Sequence, residues 1–307
     1  MTGVLIGFAV IGVVILVGYI TGRSGVLGEH AQFVLSRIAF SVLSPFLLFT
    51  VLADADIHTL FSSLLVVSLV AAVSSALVFF VIARFIWKRD VSETVIGSLG
   101  SGYVNGNNIG LPVAVFVLGD AAFAAPVVLL QLLVFAPIVL TTLDVQQRGA
   151  GSIWRIMLQP FRNPIIVGSA LGVLVSALDV TLPDPVMEPA RIIGAAAVPI
   201  MLITYGMSLH GQRPLAAGTA RRDVFLASAL KLTFMPLVAW SFGYFVLGLG
   251  GLELFAVTVL AALPAAQNVF NYAQRYDRGV VMARDIVLVT TVASPVALLL
   301  VAALLAP

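Results

Sequence analysis

The chain reads as an all-α polytopic membrane protein. It predicts ten transmembrane helices in two inverted five-helix repeats, with broken helices at the fourth and ninth positions. Three observations predict this. Of 307 residues, 61% are hydrophobic and only 10% charged, against about 25% charged in a soluble domain, and the mean hydropathy is +1.12. Lysine and arginine fall at every second loop. Two apolar stretches about 152 residues apart are each interrupted by a proline and a cluster of amides.

A span needs about 20 largely apolar residues. That criterion gives spans at roughly 3–22, 33–53, 61–86, 94–119, 122–145, 162–179, 188–209, 224–248, 252–276 and 281–305. The first has no basic segment before it and no flanked small-residue cleavage site after it, so it reads as a mature helix and not a signal peptide. The sixth is short, and the seventh contains Pro199.

Cations in the loops set orientation. Arg23, Arg37, Arg84, Lys88, Arg89, Arg148, Arg155, Arg162, Arg213, Arg221, Arg222, Arg275, Arg278 and Arg284 all flank odd-numbered loops, 14 of the 16 cations. The even-numbered loops hold Arg191 among Asp54, Asp56, Asp120, Asp179, Asp184, Glu188 and Glu253. The odd loops are therefore expected to be cytoplasmic, with both termini outside the cytoplasmic membrane.

The halves repeat. Pro45 aligns with Pro199, Pro112 with Pro264 and Pro137 with Pro295, at offsets of 154, 152 and 158 residues. Residues 1–153 and 154–307 then form two five-span repeats. Five is odd, so the second enters the membrane from the opposite side, the pattern of secondary transporters.

The interruptions are Gly102-Tyr-Val-Asn-Gly-Asn-Asn-Ile-Gly-Leu-Pro112 and Leu263-Pro-Ala-Ala-Gln-Asn-Val-Phe-Asn271. Unpaired backbone groups are not tolerated in hydrocarbon, so such a break must line a cavity or be buried in protein. Pro112 and Pro264 are expected to open the second half-helix of each span, with Gly102, Gly106 and Gly110 allowing strained backbone and close crossing of the two segments. Two half-helix N-termini meeting near mid-membrane make an anion site without a cationic side chain. Asn105, Asn107, Asn108, Gln267, Asn268 and Asn271 would bind substrate there; the alternative is that these amides join helices.

These residues resemble the auxin efflux carrier family, which includes bacterial carriers of malonate and other organic acids. Asn105-Gly-Asn-Asn-Ile-Gly-Leu-Pro112 is similar to its span-4 crossover and Leu263–Tyr276 to its span-9 crossover. The resemblance covers the whole chain. It implies elevator-type alternating access, with spans 1, 2, 6 and 7 as scaffold and spans 3–5 and 8–10 as transport domain, and it is compatible with a homodimer. The loop between spans 5 and 6 is short, as in bacterial members, so auxin is not implied.

Lys231 lies about a third of the way along span 8, where a cation costs about 2.5–3.5 kcal/mol. Snorkelling to the cytoplasmic surface is the first reading, an ion-coupling or substrate-facing charge the second. Gln131 resembles a polar position near the family's ion or support site, with helix packing as the alternative. Asp144 and Asp285 read as interfacial, each able to exchange a proton. Tyr205 and Tyr272 flank the amides or pack. Gly168-x-x-x-Gly172 packs a helix of this chain or of a partner. His30, His58 and His210 lie near span ends. The coupling ion is therefore H⁺, or Na⁺ held by unwound backbone, or there is none. No other metal and no cofactor are expected.

Other classes fit less well. The chain has no cysteine, no His-Glu-x-x-His and no Ser/His pairing at depth, so an enzyme is not expected. No basic helix with interleaved aromatics points to nucleic acid. Transport of a mono- or dicarboxylate is the expectation. A neutral or amphipathic substrate, or a passive channel, is the alternative.

Overall fold

The computed structural model describes residues 2–28, 30–54, 63–148, 163–210, 215 and 220–307, with the side chains of 2–5, 144, 147 and 148 excepted. Asp56, His58, Arg155, Arg162 and Arg213, and the side chains of Asp144 and Arg148, lie outside what is described. Among the described residues the chain is helical apart from turns and one antiparallel bridge, Val104 to Ala265.

The helices are α1 (Thr2–Ser24), α2 (Ala31–Ala53), α3 (Ser63–Ile86), α4 (Val91–Gly102), α5 (Gly106–Leu118) and α6 (residues 121–148). They continue as α7 (Pro164–Ala177), α8 (Asp184–Ser208), α9 (Arg221–Val246), α10 (Gly251–Ala261), α11 (Gln267–Tyr276) and α12 (Val280–Leu305). Among the described residues seven are long and apolar enough to cross a membrane: α1, α2, α3, α6, α8, α9 and α12. The fourth and ninth expected spans are each two short helices. The sixth, α7, has 14 residues, about 21 Å at 1.5 Å per residue.

Polar caps set the helix starts. Asp90 accepts from Ser92 N at 2.6 Å and Glu93 N at 3.1 Å to begin α4. Asn163 accepts from Ile165 N at 2.9 Å, with Pro164 at the first position of α7. Gly119, at φ 87°, ends α5 in a conformation that disfavours other residues, and Asp120 caps α6 through Ala122 N at 2.8 Å.

Four prolines share one local device. A five-residue π-helical turn precedes each of Pro45, Pro112, Pro137 and Pro236, at Ala39–Leu43, Gly106–Gly110, Gln131–Phe135 and Leu230–Phe234. A proline lacks an N–H and its ring crowds the carbonyl four residues back. Widening the preceding turn relieves that crowding and rotates the side chains it carries.

Small residues bring helices together, as expected where lipid removes the hydrophobic drive between them. α1 packs on α8 through Gly18 and Gly206; a Cβ at Gly206 would lie 2.8 Å from Tyr19 N and 2.9 Å from Gly18 Cα. α7 packs on α2, and a Cβ at Gly168 or Gly172 would come within 2.5 Å of the Pro45 or Phe49 carbonyl oxygen. The Gly168–Gly172 pair is thus used inside the chain. A separate buried cluster joins α3, α4, α6, α9, α11 and α12.

Ion pairs tie loops of like parity. Arg89 clasps the buried Asp223 with two bonds, Nε to Oδ1 at 3.1 Å and Nη2 to Oδ2 at 2.6 Å. This hydrogen bond holds the Arg89 guanidinium above its ordinary pKa. Leu215 N donates to Asp285 Oδ2 at 3.1 Å. At the other end Arg191, the lone cation of the even loops, reaches Asp54 at 3.4 Å. Arg89 is 37% exposed, so solvent screening discounts its pair. Arg89→Ala still strands a buried carboxylate. It should cost about 1–3 kcal/mol, seen as a lower Tm, and adding Asp223→Asn should recover most of the loss.

Candidate functional site

The two helix breaks cross and bond to each other. α4 ends at Gly102, and Tyr103 is extended (φ −95°, ψ 109°). α10 ends at Ala261, and Ala266 is extended (φ −73°, ψ 146°) ahead of α11. Asn105 N donates to Pro264 O at 2.8 Å, and Ala266 N donates to Tyr103 O at 3.1 Å. Main chain thus satisfies main chain at the crossing, and Val104 and Ala265 are fully buried.

The location of the first break differs from expectation. Pro112, Gly106 and Gly110 lie within α5, which starts at Gly106, six residues before Pro112. None of these glycines has positive φ. The expected close crossing does hold at Gly110, where a Cβ would meet Leu263 Cδ1 at 3.1 Å. The break is made by Tyr103, Val104 and Asn105. Asn105 Oδ1 accepts from Asn108 N at 3.2 Å and caps the restarting helix. Pro264 does sit in the second break, three residues ahead of Gln267, so it precedes α11 instead of opening it.

A cavity of about 700 Å³ lies against this crossing, within the size of small-molecule sites, about 300–1,000 Å³. All six predicted amides line it: Asn105, Asn107, Asn108, Gln267, Asn268 and Asn271. Asn107 Nδ2 donates to Asn108 Oδ1 at 3.1 Å, while Asn107 Oδ1 is buried without a hydrogen-bond partner among the described residues. Gln131, buried at the start of its π-helical turn, also lines the cavity. The N-termini of α5 and α11 both open at this wall.

The sequence profile of the membrane transport protein family matches residues 4–302. The chain belongs to this family, the auxin efflux carriers. It is 29% identical over 296 residues to an "Uncharacterized transporter" of Methanothermobacter thermautotrophicus, covering 93% of each chain. It is 26% identical over 293 residues to a "Putative malonate transporter" of Rhizobium meliloti, covering 91% of this chain and 89% of that one.

The opposite wall in this auxin efflux carrier comes from α2, through Gln32, Phe33, Ser36, Arg37, Phe40 and Ser41. Arg37 lies over the Phe33 ring at 5.5 Å. Sequence reasoning counted Arg37 only as a residue flanking the first loop and passed over this face of α2; the signal was the i, i+4 spacing of Gln32 with Ser36 and of Arg37 with Ser41. Two smaller cavities, about 130 and 40 Å³, share Gln32 and Gln267 with the main one. The larger of these is lined by Tyr205, Thr291 and Arg284. Tyr272 packs on the buried cluster around α11.

Lys231 and Asp285 are both buried, and one of them departs from expectation. Lys231 does not snorkel; it is fully buried and its Nζ donates to Ala261 O at 2.7 Å. Pro264 has no N–H and Ala265 N donates to Thr290 Oγ1 at 3.1 Å, so the Ala261 carbonyl lacks its helical donors and takes the amine in their place. Asp285, near the start of α12, is also fully buried, and Leu215 N (3.1 Å) and Arg284 Nε (2.8 Å) both donate to it.

Proposed function

We propose that this chain is a secondary carrier of small organic anions, mono- or dicarboxylates, working by elevator-type alternating access. The observation that carries the reading is the cavity where two helix breaks cross, lined on one side by six amides and on the other by Arg37. Two half-helix N-termini supply partial positive charge and free N–H donors. Arg37 adds a cation able to grip a carboxylate bidentately, whereas Arg284 in the adjoining cavity is already paired with Asp285 at 2.8 Å. The malonate named for the Rhizobium relative has this chemistry.

The architecture under this reading is ten crossing segments in two inverted repeats, residues 1–153 and 154–307, with the odd loops cytoplasmic and both termini outside. The packing of α1 with α8 and of α2 with α7 supports a scaffold of spans 1, 2, 6 and 7. The buried cluster restricted to spans 3–5 and 8–10 supports a transport domain that moves as one body. The cavity lies between the two groups, where an elevator would carry its cargo past α2.

Thermal unfolding of the purified protein against a panel of small carboxylates tests the reading, since a ligand of the native state raises Tm by mass action. Malonate and similar acids are expected to raise Tm. Arg37→Gln should weaken that response about tenfold in apparent affinity. A carboxylate panel without effect, beside a response to neutral amphiphiles, would overturn the anion reading.

A further inference from the structure

The walls of the two small cavities beside the main one carry two idle hydroxyls. Thr204 and Tyr205 are neighbours on α8. Thr204 is 7% exposed, and neither Thr204 Oγ1 nor Tyr205 Oη has a hydrogen-bond partner among the described residues. A threonine inside a helix can return its hydroxyl to the carbonyl four residues back. Thr50, Thr94, Thr258 and Thr290 do so, at 3.1, 2.7, 2.7 and 2.7 Å. Thr204 does not. A buried hydroxyl left unbonded costs about 1–3 kcal/mol, so two side by side call for an occupant.

The smaller cavity, about 40 Å³, is lined both by Asn105, Asn108 and Gln267 of the crossing and by Thr204 and Tyr205. The hydroxyls and the crossover amides thus face one space. A water needs about 10–15 Å³ of such volume, so this space admits a group of about three heavy atoms, the size of a carboxylate. The larger one, about 130 Å³, continues past Tyr205 to Thr291 and Arg284. Arg284 is already paired with Asp285 at 2.8 Å, and Ser208 Oγ donates to Tyr205 O at 2.6 Å. Thr204 and Tyr205 are therefore the idle donors. Two adjacent O–H donors match the two oxygens of one carboxylate.

We propose that Thr204 and Tyr205 form a subsite for the second carboxylate of a short dicarboxylate whose first carboxylate lies at the crossover amides. This rests on the organic-anion reading and narrows it: dicarboxylates are preferred to monocarboxylates of the same length, and two hydroxyls set the preference. α8 belongs to the scaffold under the carrier reading, so this grip belongs to the conformation described here and is released when the crossover moves.

The test is the Tm response of the purified protein to malonate against propionate, and to succinate against butyrate, pairs of equal carbon count, at a pH where every carboxyl group is ionised. Wild type is expected to respond to each dicarboxylate at about tenfold lower concentration than to its monocarboxylate partner. Tyr205→Phe and Thr204→Val each delete one hydroxyl and keep the side-chain outline. Each is expected to raise the malonate midpoint about tenfold, toward that of propionate, and to leave the propionate midpoint unmoved. Without ligand neither variant is expected to melt lower, because no hydrogen bond is lost; a merely structural role would lower that Tm or move both midpoints. Equal midpoints for malonate and propionate in wild type overturn the proposal with no variant needed, and mean that water fills the two cavities. A preference for malonate that both variants retain overturns it too. If propionate binds and malonate gains nothing, the anion reading stands and the subsite fails. If neither acid binds, the anion reading fails and the subsite falls with it.

Discussion

Replacing Asn268 by alanine is expected to weaken carboxylate binding by about 10- to 150-fold while leaving the fold intact. Asn268 is the second residue of α11 and lines the main cavity. The bonds that hold the crossing run between main-chain atoms of Tyr103, Asn105, Pro264 and Ala266, so truncating this side chain removes none of them. A hydrogen bond to a charged group is worth about 1.5–3 kcal/mol, or about 10- to 150-fold in Kd. The measurement is the Tm of Asn268→Ala with and without the carboxylate that stabilises wild type. An unchanged baseline, with the ligand response moved to about 10- to 150-fold higher concentration, is the expected result. A response of wild-type size and midpoint would remove Asn268 from the site.

Gly206→Ala is expected to have the largest effect on the fold. The new Cβ would overlap the Ile15 carbonyl and sit 2.8 Å from Tyr19 N. These obstacles are backbone of the facing helix and cannot rotate away. α1 and α8 would have to separate along their whole contact, at a cost of about 3 kcal/mol or more. Gly12→Ala is the control: it lies on the same α1, and its Cβ would meet nothing within 4 Å. Melting of both variants in one detergent should show a large loss for Gly206→Ala and none for Gly12→Ala. Equal melting temperatures would mean the two helices do not approach as described.

Much of the candidate site was legible because hydrocarbon makes interruptions conspicuous. Amides beside a proline in an apolar run have few innocent explanations, and the six amides do line one cavity. The position of the first break was not legible. Pro112 looked like the breaker, but a π-helical turn absorbs it, and nothing in the residue types announces that turn. Lys231 was misjudged for a related reason. Whether a lysine leaves the membrane or turns inward depends on what waits inside, here a carbonyl 30 residues away in sequence. Arg37 was overlooked because counting charges by loop treats a cation at a helix end as topology, although the same residue can face a cavity.

The crossing of Val104 and Ala265 bears on how such proteins diversify. Its two bonds join peptide groups and not side chains. The frame of the site is therefore nearly independent of the letters written at Asn107, Asn108, Asn268 and Asn271. Under the proposed carrier reading, point substitutions at those positions would retune selectivity for cargo while the architecture is inherited unchanged. Descendants of one ancestral frame would then share the crossover and differ in what passes through it, and common ancestry would be a better guide to how a member moves than to what it carries.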